Sequence, residues 1–228
     1  MTVVLLHPLP LDGSVWDEVR ATLQYETFAP TLYGMGESMG AWASSILDVA
    51  PPGPLVLVGN SIGGSCALEV ARLAPERVCL LVLIGAKPGH RPEPDVRDEA
   101  VQLLEQNGLD AAWASYWAPL FAADADCDVV RRAHEVARAQ GIDEIVRGVR
   151  VFHERPDRSE FIETFDAPVI VAHGELDRVP RDPARLARRL QRGKHVIVAC
   201  SGHYVPLERP SELANVLRHA IDDLNNYP

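Results

Sequence analysis

The sequence has few cysteines and no arrangement of them that would do chemistry. The four, Cys66, Cys79, Cys127 and Cys200, form no C-x-x-C pair, and no His/Cys cluster has zinc-ligand spacing. Cys66 and Cys79 lie in apolar runs and read as small core residues. Nothing else in the chain asks for a metal or an organic cofactor, so none is expected. No apolar run approaches the roughly 20 residues of a membrane span. The N-terminal stretch MTVVLLHPLP has no basic n-region and no small-residue cleavage site. A cytoplasmic protein with no membrane partner is therefore expected. An excess of basic residues is lacking too. The formal net charge of -10 repels phosphate backbones and anionic lipid, which excludes nucleic acid as an expected partner. Linkers, repeats and low-complexity segments are absent. What remains is an ordinary globular composition over 228 residues, enough for one α/β domain with its own core.

Short apolar runs alternate with helical patterns, the signature of β-α units and a mostly parallel central sheet flanked by helices. The expected strands are Thr2–Leu6, Thr27–Leu32, Pro54–Val58, Val78–Ile84, Pro168–Ala172 and His195–Ala199. They read as near-continuous Val/Leu/Ile, as strands covered on both faces do. Asp12 or Ser14 is positioned to cap a helix carrying Val15, Trp16, Val19 and Leu23. A second helix is expected from about Ile62 to Leu73, and a third from Ser211 to about Leu224, with Leu213, Val216, Leu217 and Ile221 on one face. The alternation breaks between about 88 and 158. That stretch opens with a Pro-rich, charged segment and then reads as several helices, one carrying Trp113, Tyr116 and Trp117 and another running from about Ile142 to His153. The expected organisation is one domain, 1–228, with a helical cap inserted at about 88–158.

A G-x-S-x-G pattern spans Gly59-Asn60-Ser61-Ile62-Gly63. A serine hydroxyl is a poor nucleophile at its free pKa and must be presented to a base in fixed geometry. A sharp strand-to-helix turn does this, and the crowding of such a turn demands small neighbours on both sides. The helix start then offers the Ile62 amide and a positive dipole end to a developing oxyanion. The pattern occurs a second time at Gly36-Glu37-Ser38-Met39-Gly40. There, Gly34 and Met35 intervene and nothing apolar runs directly into the turn. Ser61 follows a buried strand and precedes a helix of small residues, so Ser61 is the expected nucleophile and Ser38 the weaker alternative.

Of eight histidines, His203 lies in the loop after the last strand and before the last helix, where active-site residues of open parallel sheets collect. A base needs an orienting carboxylate on its other ring nitrogen. Asp177 follows the strand Pro168–Ala172 at the same end of the sheet, with Glu175 as the nearest rival. The remaining histidines, including His90, His134, His153, His195 and His219, read as surface or structural residues.

With these motifs in place the chain resembles the α/β-hydrolase superfamily along nearly its full length, in particular the small esterases and enol-lactone hydrolases. The likeness rests on His7-Pro8-Leu9 after the first strand, Trp16, Gly34-Met35-Gly36-Glu37-Ser38, the Ser61 turn, His173-Gly174-Glu175-Leu176-Asp177, and Gly202-His203 with Pro206. The resemblance implies the α/β-hydrolase fold, a Ser61–Asp177–His203 triad in the order that such enzymes use, and an oxyanion hole from the backbone amides of Leu9 and Ile62. It also makes the Ser38 loop a structural turn. Two features depart from the family. Most members have His-Gly where this chain has His7-Pro8, and many begin with an extra strand pair.

The expected activity is hydrolysis of a small carboxylic ester, lactone or thioester through an acyl-enzyme. The same scaffold also serves lyases and carbon–carbon bond hydrolases with His203 as base, and a non-catalytic binding protein is a further alternative. Trp113, Tyr116, Trp117 and Phe121 are candidates to line an apolar substrate pocket, against the alternative that about half of them are cap core. Arg147 and Arg150 are candidates for a substrate carboxylate, against the plainer reading of a salt-bridged helix face. The expected partner is a small acyl substrate.

Overall fold

The structure, a computed structural model, describes residues 1–90, 92–179 and 182–226. β1 (Thr2–Leu6) leads through a 3-10 turn (Gly13–Trp16) into α1 (Asp17–Thr22), β2 (Thr27–Phe28) and α2 (Met39–Val49). β3 (Leu55–Asn60), α3 (Ile62–Leu73) and β4 (Val78–Ile84) follow. The chain then leaves the sheet for α4 (Pro94–Ala112), bent at Gly108, a π turn (Trp113–Trp117), a 3-10 turn (Ala118–Leu120), α5 (Cys127–Ala139), α6 (Ile142–His153) and α7 (Ser159–Glu163). It returns through β5 (Val169–Gly174), α8 (Pro183–Arg189), β6 (Gly193–Val198), α9 (Val205–Glu208) and α10 (Pro210–Asn226).

The six strands form one parallel sheet in the order β2-β1-β3-β4-β5-β6. Side chains alternate between two cores, as the two-residue period of a strand requires. Val3, Leu5, Val56, Val58, Leu80, Val82 and Ile84 face one core with Trp16, Leu217 and the insertion's Leu104, Trp113 and Ile145. Val4, Leu6, Leu55, Leu57, Leu81 and Leu83 face the other with Trp42, Ile46, Ala67 and Val70. The near-continuous Val/Leu runs are thus explained by burial on both faces. Strand order reverses between β1 and β3, so the loops leaving these two strands diverge and open a crevice at their carboxyl ends.

Several expected elements differ in the structure. The second strand is Thr27–Phe28, not Thr27–Leu32. It pairs with β1 only at Val3↔Thr27 and Val4↔Phe28, and Pro30 has no N–H to extend the ladder. Leu32 is buried by packing instead, and its N–H donates to His7 Nε2 (2.9 Å). β3 runs further than Val58, through Gly59 and Asn60, which pair with Leu83 and Ile84. β6 is an edge strand, paired only with β5, and Ile197 is 55% exposed, so it is not covered on both faces. The first helix is split, with Asp12 capping the 3-10 turn by accepting from the Ser14 N–H (2.9 Å). The helix α8 was not anticipated. Its start carries the local signal of Asp182 capping Arg185 N–H (2.9 Å) ahead of Pro183.

Candidate active site

Ser61 sits between β3 and α3 at φ 56°, ψ -118°, a conformation that L residues rarely adopt. The flanking glycines are required by space. A Cβ on Gly59 would lie 2.2 Å from Gly63 O, and one on Gly63 would lie 2.1 Å from Leu6 O. The turn is pinned by Ser61 N–H donating to Ile84 O (2.9 Å) and by Ser61 O accepting from Gly64 N–H (3.0 Å). Ile62 is the first helical residue, whose amide has no intrahelical acceptor.

Ser38 has the same local pattern and a different backbone. It is exposed, extended at φ -148°, and caps α2 by accepting from Ala41 N–H (3.2 Å). It is a helix cap and lies outside the cleft described below.

His203 Nδ1 and Asp177 Oδ2 are 2.8 Å apart, with their side chains 2% and 1% exposed. Asp177 Oδ1 accepts from Val179 N–H (2.9 Å), which fixes the carboxylate plane. Glu175, the rival acid, is exposed and accepts from Cys200 N–H (3.0 Å). Two residues that the sequence did not single out hold this pair. Asn60, fully buried, donates through Nδ2 to both Ile84 O (3.1 Å) and His203 O (3.0 Å), tying the histidine loop to the strand that carries Ser61. Gly85, at φ 57°, gives the pair its room, since a Cβ there would lie 2.8 Å from His203 Nδ1 and 2.9 Å from Asp177 Oδ2.

Ser61, His203 and Leu9 line one cleft of about 160 Å³. No hydrogen bond joins Ser61 to His203 among the described residues, as is common in unliganded sites. Tyr116 and Trp117 line the cleft with Val96, Ala100, Leu120 and Val149. Trp113 and Phe121 do not. Trp113 stacks on His134 (4.7 Å between centroids) within the insertion, while Phe121 packs on Tyr204 (4.5 Å), the residue after His203, and borders a separate, larger groove. Arg147 is also outside the cleft, held by Glu37 (2.8 Å) and Glu144 (2.9 Å). Arg150 lies 3.6 Å from Glu105 on an exposed helix face. Among the described residues no Lys, Arg, Asp or Glu lines the cleft. Phe152, His153 and Val179 complete its wall, and His153 was not foreseen there. Burial, with the nearby Arg155 charge, pushes the His153 pKa below its ordinary value, which favours a neutral ring. A larger groove of about 770 Å³ reaches Asp177 and Leu120, but neither Ser61 nor His203 lines it.

His7, beside the Leu9 loop, is tied into the fold through both ring nitrogens. It is fully buried, and burial lowers its pKa to about 4. Its Nε2 accepts from Leu32 N–H, which leaves Nδ1–H to donate to Pro8 O (3.1 Å). The proline after His7 therefore keeps its carbonyl in use, and the next amide, that of Leu9, belongs to the residue that borders the cleft. Among the described residues no group of three or more His, Cys, Asp or Glu is placed to hold a metal, and no helix is long and apolar enough to cross a membrane.

The alpha/beta hydrolase family model matches residues 3–216. The chain is 26% identical to Esterase Rv0045c of Mycobacterium tuberculosis, over 96% of this chain and 82% of that protein. It is 28% identical to Lipase LipV of the same organism, over 95% and 91%. A thermophilic esterase from Thermogutta terrifontis superposes with a TM-score of 0.89 at 22% identity, covering 98% of this chain and 90% of that one.

Proposed function

The chain belongs to the alpha/beta hydrolase family, and from that premise we propose that it hydrolyses a small, uncharged carboxylic ester, lactone or thioester with Ser61, His203 and Asp177 as its triad. The observation that carries the reading is Ser61, raised on a strained turn, in one cleft with an imidazole whose far nitrogen is 2.8 Å from a buried carboxylate.

In this mechanism His203 Nε2 takes the proton of Ser61 Oγ as the oxygen attacks the substrate carbonyl. Asp177 keeps the proton of the ring on Nδ1 and stabilises the imidazolium that forms. The amides of Leu9 and Ile62 receive the oxyanion, with the N-terminus of α3 adding its dipole. His203 then protonates the leaving group, which yields an acyl-Ser61. Water, deprotonated by the same ring, releases the acid and restores the serine.

The cleft supports a size and charge for the acyl group. An apolar cavity of about 150 Å³ takes a benzene-sized guest, so 160 Å³ suits about six carbon atoms. Among the described residues no Lys or Arg lines the cleft to answer a carboxylate placed there, and an unpaired charge against its apolar wall is costly. Short-chain and benzoyl esters are expected to turn over fastest, and longer or terminally carboxylated acyl groups to lose kcat/KM steeply.

Intact-protein mass after treatment with a fluorophosphonate tests the nucleophile. One adduct is expected on the wild type and on Ser38→Ala, and none on Ser61→Ala. No adduct on folded wild type, together with cleavage of a carbon–carbon bond or a lyase substrate, would replace hydrolysis by the base-only chemistry of the same scaffold. An adduct that survives Ser61→Ala and disappears in Ser38→Ala would put the nucleophile at the wrong turn.

A further inference from the structure

Glu208 ends the four-residue helix α9, is 9% exposed, and forms no ion pair among the described residues. Its carboxylate is spent entirely on backbone. Oε2 accepts from Gly202 N–H (3.0 Å) and from Ala122 N–H (2.9 Å), and Oε1 accepts from Tyr204 N–H (3.2 Å). Gly202 and Tyr204 are the residues on either side of His203. Ala122 belongs to the insertion between β4 and β5.

A buried loop with no strand partner must find acceptors for its N–H groups elsewhere. A carboxylate is suited to several at once, because its two oxygens accept and neither donates. The same stretch of the insertion makes a second bond in the reverse direction, since His203 N–H donates to Leu120 O (2.8 Å). Leu120 also lines the cleft. The substrate wall and the base therefore share one short piece of backbone, and Glu208 closes that connection from below. Tyr204 extends it. Its ring packs on Phe121, and its hydroxyl donates to Leu9 O (3.1 Å), the loop that carries the proposed oxyanion amide.

We propose that Glu208 is a positioning residue for His203, and that through it the helical insertion and the base move as one unit, so that whatever shifts the Leu120–Ala122 wall shifts the imidazole. This rests on the triad reading above. Glu208 touches no substrate and acts through the loop it holds. In Glu208→Gln one oxygen becomes an NH2 group. The amide oxygen can keep the Ala122 and Gly202 bonds, while the NH2 group then faces Tyr204 N–H, donor against donor.

The test uses the full chain, with Glu212→Gln, an exposed neighbour on α10, as control. Active sites are counted with a fluorophosphonate, and ester turnover is expressed per titrated site. A merely structural loss lowers the number of sites and leaves the rate at each intact. The positioning role predicts a kcat per site about 10- to 100-fold lower, the scale of a misplacement approaching 1 Å, with KM within about threefold. Amide hydrogen exchange, read by mass spectrometry, is expected to quicken together in 120–122 and in 202–204. Ala122→Pro removes the insertion-side donor and sets its ring Cδ where the N–H pointed at Glu208 Oε2, which forces the insertion and the carboxylate apart, and it is the second variant. Phe121 already has the extended backbone (φ -67°, ψ 156°) that a residue before proline adopts. It is expected to lower kcat per site in the same direction.

A per-site kcat within threefold of wild type in both variants overturns the proposal. So does quickened exchange confined to 202–204, which would leave Glu208 a local brace with no link to the insertion. Wild type without a titratable serine would instead overturn the hydrolase reading, while the exchange experiment would still report on the link.

Discussion

Gly85→Ala puts the sharpest demand on the geometry of the site. The added Cβ would meet His203 Cε1 and Nδ1 at 2.8 Å and Asp177 Oδ2 at 2.9 Å, where ordinary contact begins at 3.4 Å. The ring or the carboxylate must therefore retreat by about 0.6 Å, in a region where both side chains are almost fully buried. The new atom stands beside both partners of a 2.8 Å hydrogen bond and wedges them toward or past the usual 3.2 Å limit. Misplacement on this scale is expected to lower kcat by about 10- to 100-fold. The backbone adds its own cost, since φ at Gly85 is +57° and a side chain there loses about 1–2 kcal/mol. For a chain of this size that is roughly 2–8 °C in Tm. Ester turnover per titrated site and the melting midpoint are the two readouts. Gly40→Ala is the control. It lies in α2 with nothing within 4 Å of the added atom, and should gain about 0.5–1 kcal/mol with unchanged turnover. A Gly85→Ala enzyme that melts lower yet turns over within threefold of wild type would refute the claim that the His203–Asp177 bond orients the base.

Asp177→Asn keeps the shape of the pair but reverses the tautomer it selects, and kcat should fall by about 10³- to 10⁴-fold with the fold retained by circular dichroism. Glu69 carries the acid limb of stability. Its burial opposes ionisation, but hydrogen bonds from Arg158 (2.6 and 3.1 Å) and Arg72 (2.9 and 2.8 Å) outweigh it and hold the carboxyl below its ordinary 4.5. A depressed folded pKa means that this contribution is complete above the unfolded value and is lost as pH falls through the folded one. Melting midpoints should therefore drop below about pH 4.5, and Glu69→Gln should flatten that limb. Arg147→Ala should leave KM for neutral and carboxylated esters within threefold and stability within about 1 kcal/mol, because its ion pairs are partly exposed and none of their residues lines the cleft. A selective loss on carboxylated substrates would return Arg147 to the site.

The parts of the site that were legible in the sequence are those whose cause is local. The buried run into Gly59-Asn60-Ser61 and the small residues after it encode the turn within a dozen positions. His203 and Asp177 were legible one step less directly, from their places after apolar runs. What escaped is set by contacts between distant segments. Nothing around Gly85 announces that its missing side chain makes room for residues far along the chain. Asn60 occupies the variable position of its motif, yet bridges β4 and the His203 loop. Trp113 and Phe121 belong to the same short aromatic stretch as Tyr116 and Trp117, but the π turn and the break after Leu120 send the two pairs to different places. The hydrophobic pattern extends the second strand too far because Leu32 is buried and Pro30 half-buried, and burial without pairing looks the same in such a pattern.

The two G-x-S-x-G segments show what a motif needs from the rest of the fold. Ser38 is free to relax into an extended cap, because the residues before it are a turn with no sheet partner in the pairings of β1 and β2. Ser61 is not free to do so. β3 is paired on one side with β1 up to Leu6↔Gly59 and on the other with β4 up to Asn60↔Ile84, and the ladder continues through Ser61 N–H to Ile84 O. The helix after it is buried over Ile62–Ala71 and cannot shift to release the turn. A backbone in so sparse a region costs about 1–3 kcal/mol and persists only where its surroundings over-determine it. Two flanking strands and one buried helix supply that determination at Ser61 alone. The proposed nucleophile is thus set apart less by its five-residue pattern than by the central place of β3, and the reversal of strand order beside it puts the Leu9 loop across the crevice from the serine it would serve.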